Sequence, residues 1–307
     1  MTGLEQAKAF YEEYGREMLH EKFPEAEGRI AVGLAGHGSE CFGFDDEISR
    51  DHDFEIGFCM WISDEDDLDM GVELAREYRK LPVIRAENKS IMGEKKVGVR
   101  RISDFYRRYT GSAGAPKDWR QWMSIPSYAL AEATNGQVWR DDAGEFSRIR
   151  DELLHGMPED VRKKKLAARV ISMAQAGQYN FSRCVKHGEN GAAMMALGEF
   201  VRSAVDAIFL LNRAHMPYYK WMFRAMDALE ILSDIKEPLE YLLTGENGED
   251  GIRLKAQLIE DICANVALEL KNQQLTHSSR DFLEMHAYEI MEHIENPEIR
   301  ALHVMEG

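Results

Sequence analysis

Two short stretches of this 307-residue chain carry residue types that could do chemistry together. Gly36-His37-Gly38-Ser39-Glu40 sets small residues and a hydroxyl at the end of an apolar run. Ser49-Arg50-Asp51-His52-Asp53-Phe54-Glu55 sets acids at alternate positions, ahead of the apolar run Ile56-Gly57-Phe58-Cys59-Met60-Trp61. Glycine lets the backbone approach a phosphate closely, and the amides at a following helix start point at the anion. Ser39 adds a hydroxyl donor. In a strand, alternate side chains share a face, with ~6.6–6.8 Å between positions i and i+2. Asp51, Asp53 and Glu55 are therefore expected to project together, with His52 on the opposite face. Clustered carboxylates repel one another unless a cation neutralises them. Mg²⁺ or Mn²⁺ takes oxygen ligands from one or two carboxylates and from phosphate, so a divalent metal with a polyphosphate is the expected occupant. Two such ions can activate an attacking oxygen and stabilise the leaving one in an in-line displacement.

The elements that must position these residues follow from the apolar spacing. Residues 4–23 repeat Leu4, Ala7, Phe10, Tyr11, Tyr14, Met18 and Leu19 at helical spacing. Ile30 to Leu34 is a short strand running into the glycines, and Gly38 to Gly43 opens a helix. Asp51 to Trp61 is expected to be one second strand. Ser63-Asp64-Glu65-Asp66 caps a helix over 65–80. Val97-Gly98-Val99 and Gln137-Val138-Trp139 are further strands, with helices near 103–109 and 117–134 between them. Beyond Asp142 the periodicity is helical throughout: 145–155, 159–186, 190–214, 217–232, 236–243, 251–272 and 279–294. The fold class expected is α+β. A small mixed-sheet domain over 1–142 precedes an all-α helical bundle over 143–307.

The glycine-serine bend, the gap before Asp51 and the Asp-x-Asp inside an apolar strand together resemble the signature of the polymerase-beta-like nucleotidyltransferase superfamily. The longer string Gly38-Ser39-Glu40, Gly43-Phe44-Asp45-Asp46, Ser49-Arg50-Asp51-His52-Asp53 is similar to an uncharacterised bacterial branch of it. That branch is also matched by Gly136 to Asp141, by Tyr179-Asn180 and by Pro217-Tyr218-Tyr219-Lys220-Trp221. The resemblance implies a metal-dependent transfer of a nucleoside monophosphate from a nucleoside triphosphate to a hydroxyl of a small molecule or protein. It implies that Gly38, Ser39 and Glu40 hold the nucleotide's phosphates and that Asp51 and Asp53 hold Mg²⁺ or Mn²⁺. Superfamily members also carry a third carboxylate on a later strand, whereas Val97-Gly98-Val99-Arg100 has none. Glu55 is the expected substitute, with Glu94 and Asp104 as others. In related two-domain enzymes the helical half supplies a Lys or Tyr to the phosphates. Lys220, with Arg224 one turn on, and Tyr179 are the matching positions. A non-catalytic nucleotide-binding sensor or antitoxin-like module of the same fold is the alternative.

Composition narrows the partners. The net charge of −16 disfavours a long nucleic acid, whose binding depends on phosphate neutralisation. No apolar run reaches the ~18–20 residues of a membrane span. Met1-Thr2-Gly3-Leu4-Glu5-Gln6 lacks the basic and apolar segments of a signal, and the four cysteines are scattered, so a cytoplasmic location is expected. The oligomeric state stays open, a homodimer included. Two weaker signals remain. Arg162-Lys163-Lys164-Lys165 is read as a solvated helix face, and Arg280 with His286 has the spacing found in certain small helical ribonucleases.

Overall fold

The computed structural model describes residues 1–46, 55–82, 84–85 and 96–307. It is an α+β chain in two compact units, Met1–Gly156 and Met157–Gly307.

The first unit is built on a four-stranded mixed sheet of β1 (Ala31–Leu34), β3 (Cys59–Ile62), β5 (Gly98–Arg101) and β6 (Gln137–Arg140), in the order β5-β3-β1-β6. Strand β1 runs antiparallel to β3 and β6, and β5 runs parallel to β3. A separate two-stranded ladder joins β2 (Glu55–Ile56) to β4 (Ile84–Arg85). The side chains of β3 alternate as the pleat requires, and both sets are buried. Met60 and Ile62 pack with Ile30, Val32, Phe10, Leu19, Met70 and Leu74. On the other face Trp61 stacks on Phe146, ring centroids 4.0 Å apart, and meets Phe105 edge-on. Phe146 opens the helix Glu145–His155, which therefore belongs to this unit and not to the helical half, where its periodicity had placed it.

The single strand expected over 51–61 is instead two short strands in different ladders among the described residues, parted at Gly57-Phe58. The reason is a tyrosine. The Tyr78 hydroxyl accepts from the Phe58 N–H at 3.1 Å, taking the place of a strand partner there, and donates to the Phe58 carbonyl at 3.0 Å. Gly57 makes room for it, since a Cβ there would sit 2.7 Å from that hydroxyl and 2.9 Å from Val97 Cγ2.

The second unit is helical throughout. Residues 159–186 form one continuous helix whose middle, Ala174–Phe181, is wound as a π-helix. Asn190–Leu211 packs along it, as does Leu283–Glu292, and Glu249–Asn272 completes the layer. The helix expected over 217–232 shrinks to Met222–Met226. Asn212 accounts for the far end: its carboxamide accepts from the N–H groups of Glu230 and Ile231 and donates to the Ile231 carbonyl. A side chain thus satisfies backbone that a helix would otherwise pair.

The basic run at 162–165 is not a solvated face. Arg162, Lys164 and Lys165 are buried, Lys164 completely. Lys164 donates to the carbonyls of Val304 and Glu306, and Arg162 is held by Glu159 and the Leu210 carbonyl.

Candidate nucleotide site at the end of the sheet

The bend after β1 has the backbone that its glycines permit. Gly36 and Gly38 lie at φ +117° and +119°, a region that side chains disfavour. The chain then enters the short helix Ser39–Phe42. Asn135 clamps this bend at two points. Its Oδ1 accepts from the Gly36 N–H at 2.8 Å, and its Nδ2 donates to the Gly36 carbonyl at 2.7 Å. The hydroxyl of Tyr109, on the helix Ile102–Thr110, lies where a Cβ on Gly36 would have to go. The bend is therefore held from the strand side, the carboxamide side and the tyrosine side.

Glu40, the third residue assigned to phosphate, is itself paired: Lys96 Nζ lies 3.0 Å from its Oε1, both side chains largely shielded. A glutamate so neutralised repels an incoming phosphate less than a bare one, and the lysine leaves the bend with a local cation. Asp45 accepts from the Gly3 N–H through Oδ2 at 2.8 Å, while its buried Oδ1 has no hydrogen-bond partner among the described residues.

Register places the bend beside the start of β3. Gly33, near the end of β1, pairs with Cys59, the first residue of β3. The bend leaves the sheet at the end where β3 begins. Asp51 and Asp53 lie outside the described residues, as does the side chain of Glu55, whose backbone pairs with Arg85 in β2. Glu94 and His52 also lie outside them. Asp104 is engaged by Arg101 and Arg107 at 2.7 and 2.9 Å. Among the described residues no group of three His, Cys, Asp or Glu is placed to hold a metal ion.

One carboxylate near the bend escaped the sequence reading. Glu132, on the helix Ser127–Thr134, is half-buried, and desolvation, partly opposed by the Arg108 charge, lifts its carboxyl above the usual range. Its charge is felt by Tyr109 and Cys41, both at the bend; burial first, and Glu132 among the other causes, raise both of those groups. Nothing in the spacing around Glu132 marks it, because its neighbours come from distant sequence.

In the helical unit Tyr179 is exposed on the π-helical stretch, with the Arg183 guanidinium 5.7 Å from its ring centroid. Such wide turns frequently accompany functional positions. Lys220 is exposed, its Nζ 5.3 Å from the Trp221 ring centroid, and Arg224 lies 6.0 Å from that same ring. Lys220 is thus held over an indole rather than spread into solvent. His286, the ribonuclease candidate, is completely buried. Its Nδ1 lies 3.1 Å from Thr276 Oγ1 and its Nε2 2.8 Å from the Arg280 carbonyl, so both ring nitrogens are occupied in locking a turn.

No helix among the described residues is long and apolar enough to cross a membrane. Residues 122–222 match the family model described as Domain of unknown function (DUF4037). The match includes Glu132, Asn135, Tyr179-Asn180 and Pro217 to Trp221. No curated protein and no solved structure matches the chain.

Proposed function

We propose that this chain is a metal-dependent nucleotidyltransferase of the polymerase-beta-like kind, moving a nucleoside monophosphate from a nucleoside triphosphate to a hydroxyl. The observation that carries the reading is the bend itself. Two glycines at positive φ lead into Ser39, a side-chain clamp fixes the first of them, and they follow β1 at the sheet end where β3 begins. A pre-formed bend of small residues before a hydroxyl suits the terminal phosphates of a nucleotide. The donor set of Asp51 and Asp53 consists of hard carboxylate oxygens, which fits Mg²⁺ or Mn²⁺. When bound, such an ion supplies charge neutralisation for the phosphates. Gly38, Ser39 and the Lys96-compensated Glu40 serve the phosphates. Four unpaired thiols are in keeping with a cytoplasmic location.

The test is turnover of each α-³²P-labelled nucleoside triphosphate with Mg²⁺ or Mn²⁺. The acceptors are water and a panel of sugars, polyols and Ser-, Thr- and Tyr-containing peptides. Pyrophosphate release and label transfer are expected, with a loss of ~100-fold or more in the Asp51→Asn and Asp53→Asn variants. Neither binding nor release with any of the four nucleotides would overturn the reading.

One observation favours a second reading, a nucleotide sensor without turnover: β5 presents Arg100 and Arg101 where related enzymes carry a carboxylate. Calorimetry showing nucleotide affinity in a protein that releases no pyrophosphate would select it.

A further inference from the structure

An acceptor hydroxyl needs a group to take its proton, and β5 offers arginines instead. The helix Ser127–Thr134 offers a carboxylate. Glu132 precedes Asn135 by three residues, the spacing that puts two side chains on one helical side, and Asn135 reaches Gly36. Tyr109, beside Gly36, and Cys41, two residues after Ser39, both lie within the field of Glu132. Glu132 makes no hydrogen bond or ion pair with another described residue; Arg108 acts on it only at longer range. A half-buried carboxylate with no direct partner destabilises a fold. Its presence beside the bend is thus better explained by chemistry than by architecture.

Resting on the transferase reading, we infer that Glu132 is the general base for the acceptor hydroxyl. The acceptor O–H bond breaks as its oxygen bonds to the α-phosphorus. The bond from that phosphorus to the α,β-bridging oxygen breaks, and pyrophosphate leaves with the electron pair. The proton finishes on a Glu132 carboxylate oxygen. The raised carboxyl brings the base closer to the working pH. Among the described residues, the groups coupled electrostatically to Glu132 are Arg108 and Tyr109 from the helix Ile102–Thr110 and Cys41 from the helix Ser39–Phe42.

The experiment compares the full-length protein with its Glu132→Gln and Glu132→Asp variants, using the labelled nucleotides and hydroxyl panel named above. Glu132→Gln is expected to lower kcat ~100-fold or more, to leave nucleotide affinity within about twofold, and to remove the acidic limb of the kcat/KM pH profile. Glu132→Asp should restore part of the rate. Because the charged form is the one the fold disfavours, Glu132→Gln should also melt higher than the wild type at pH 8, with the gap closing near pH 4. Wild-type turnover with Glu132→Gln within about threefold would overturn the role of Glu132 and leave the transferase standing. A lower melting point for Glu132→Gln at pH 8 would mark Glu132 as structural and equally overturn it. A wild type that turns over no nucleotide would bring down the transferase reading itself, and Glu132 with it.

Discussion

Asn135 reaches across 99 positions of sequence to hold both polar groups of Gly36. Asn135→Ala would leave a part-buried N–H and C=O without partners, which costs about 1–3 kcal/mol. Urea denaturation should show that loss, and nucleotide affinity should fall with it, since the bend would no longer be fixed before binding. Asn135→Asp keeps the acceptor and loses the donor, so its effect on stability should be smaller. The bend at 36–39 was legible because its glycines and serine lie in one local window, while Asp51 and Asp53 lie outside the described residues. Glu132 falls inside the helix expected near 117–134 and Asn135 just past it, with nothing in the local sequence to mark either. Both acquire meaning from partners that the fold brings from residues 36–41 and 108–109. His286 failed in the opposite direction: its distance from Arg280 looked chemical, but burial turned both into parts of a turn.

At the scale of elements, the helix start at Ser63 was read closely: its hydroxyl accepts from the Asp66 N–H that it was expected to cap. The errors fall where a side chain replaces a backbone partner, which periodicity does not reveal. Asn212 does so in the segment once assigned to a helix over 217–232, and Tyr78 does so between β2 and β3. The second case gives a measurable consequence. In Tyr78→Phe the Phe58 carbonyl keeps its bond from the Gly98 N–H at 2.9 Å, but the Phe58 N–H loses its acceptor. One orphaned amide of this kind costs about 1–3 kcal/mol. A shift in urea midpoint with an unchanged slope should record it, because the surface exposed on unfolding stays the same.

At the scale of the whole molecule, the charge of −16 conceals positive charges kept inside. In the helical unit Lys165 lies buried beside Asp206, which Arg169 holds at 3.1 Å. Desolvation, partly opposed by Asp206, lowers Lys165 to about 8, and desolvation with a smaller offset from Glu306 lowers Lys164 likewise to about 8. For a base whose folded value is depressed, the native state binds fewer protons than the unfolded chain between about pH 8 and the ordinary lysine range near 10.4. Stability from these two lysines therefore rises as pH climbs through that window, and below pH 8 the fold carries the full cost of two buried charges. Asp206 works the other way: its carboxyl is raised, burial outweighing Arg169 and Lys165, so its contribution declines as pH rises above the usual carboxylate range. A methionine at 165 keeps most of the packing volume and removes the ammonium, while Arg169 remains to face Asp206. Lys165→Met should thus be more stable than the wild type at pH 7. Most of that advantage should be gone by pH 10.5, where the lysine is neutral in the native state and about half protonated in the unfolded chain. Chemical denaturation of the full chain at the two pH values is the measurement. A variant less stable at pH 7 would mean that the Lys165–Asp206 attraction outweighs the burial of the charge.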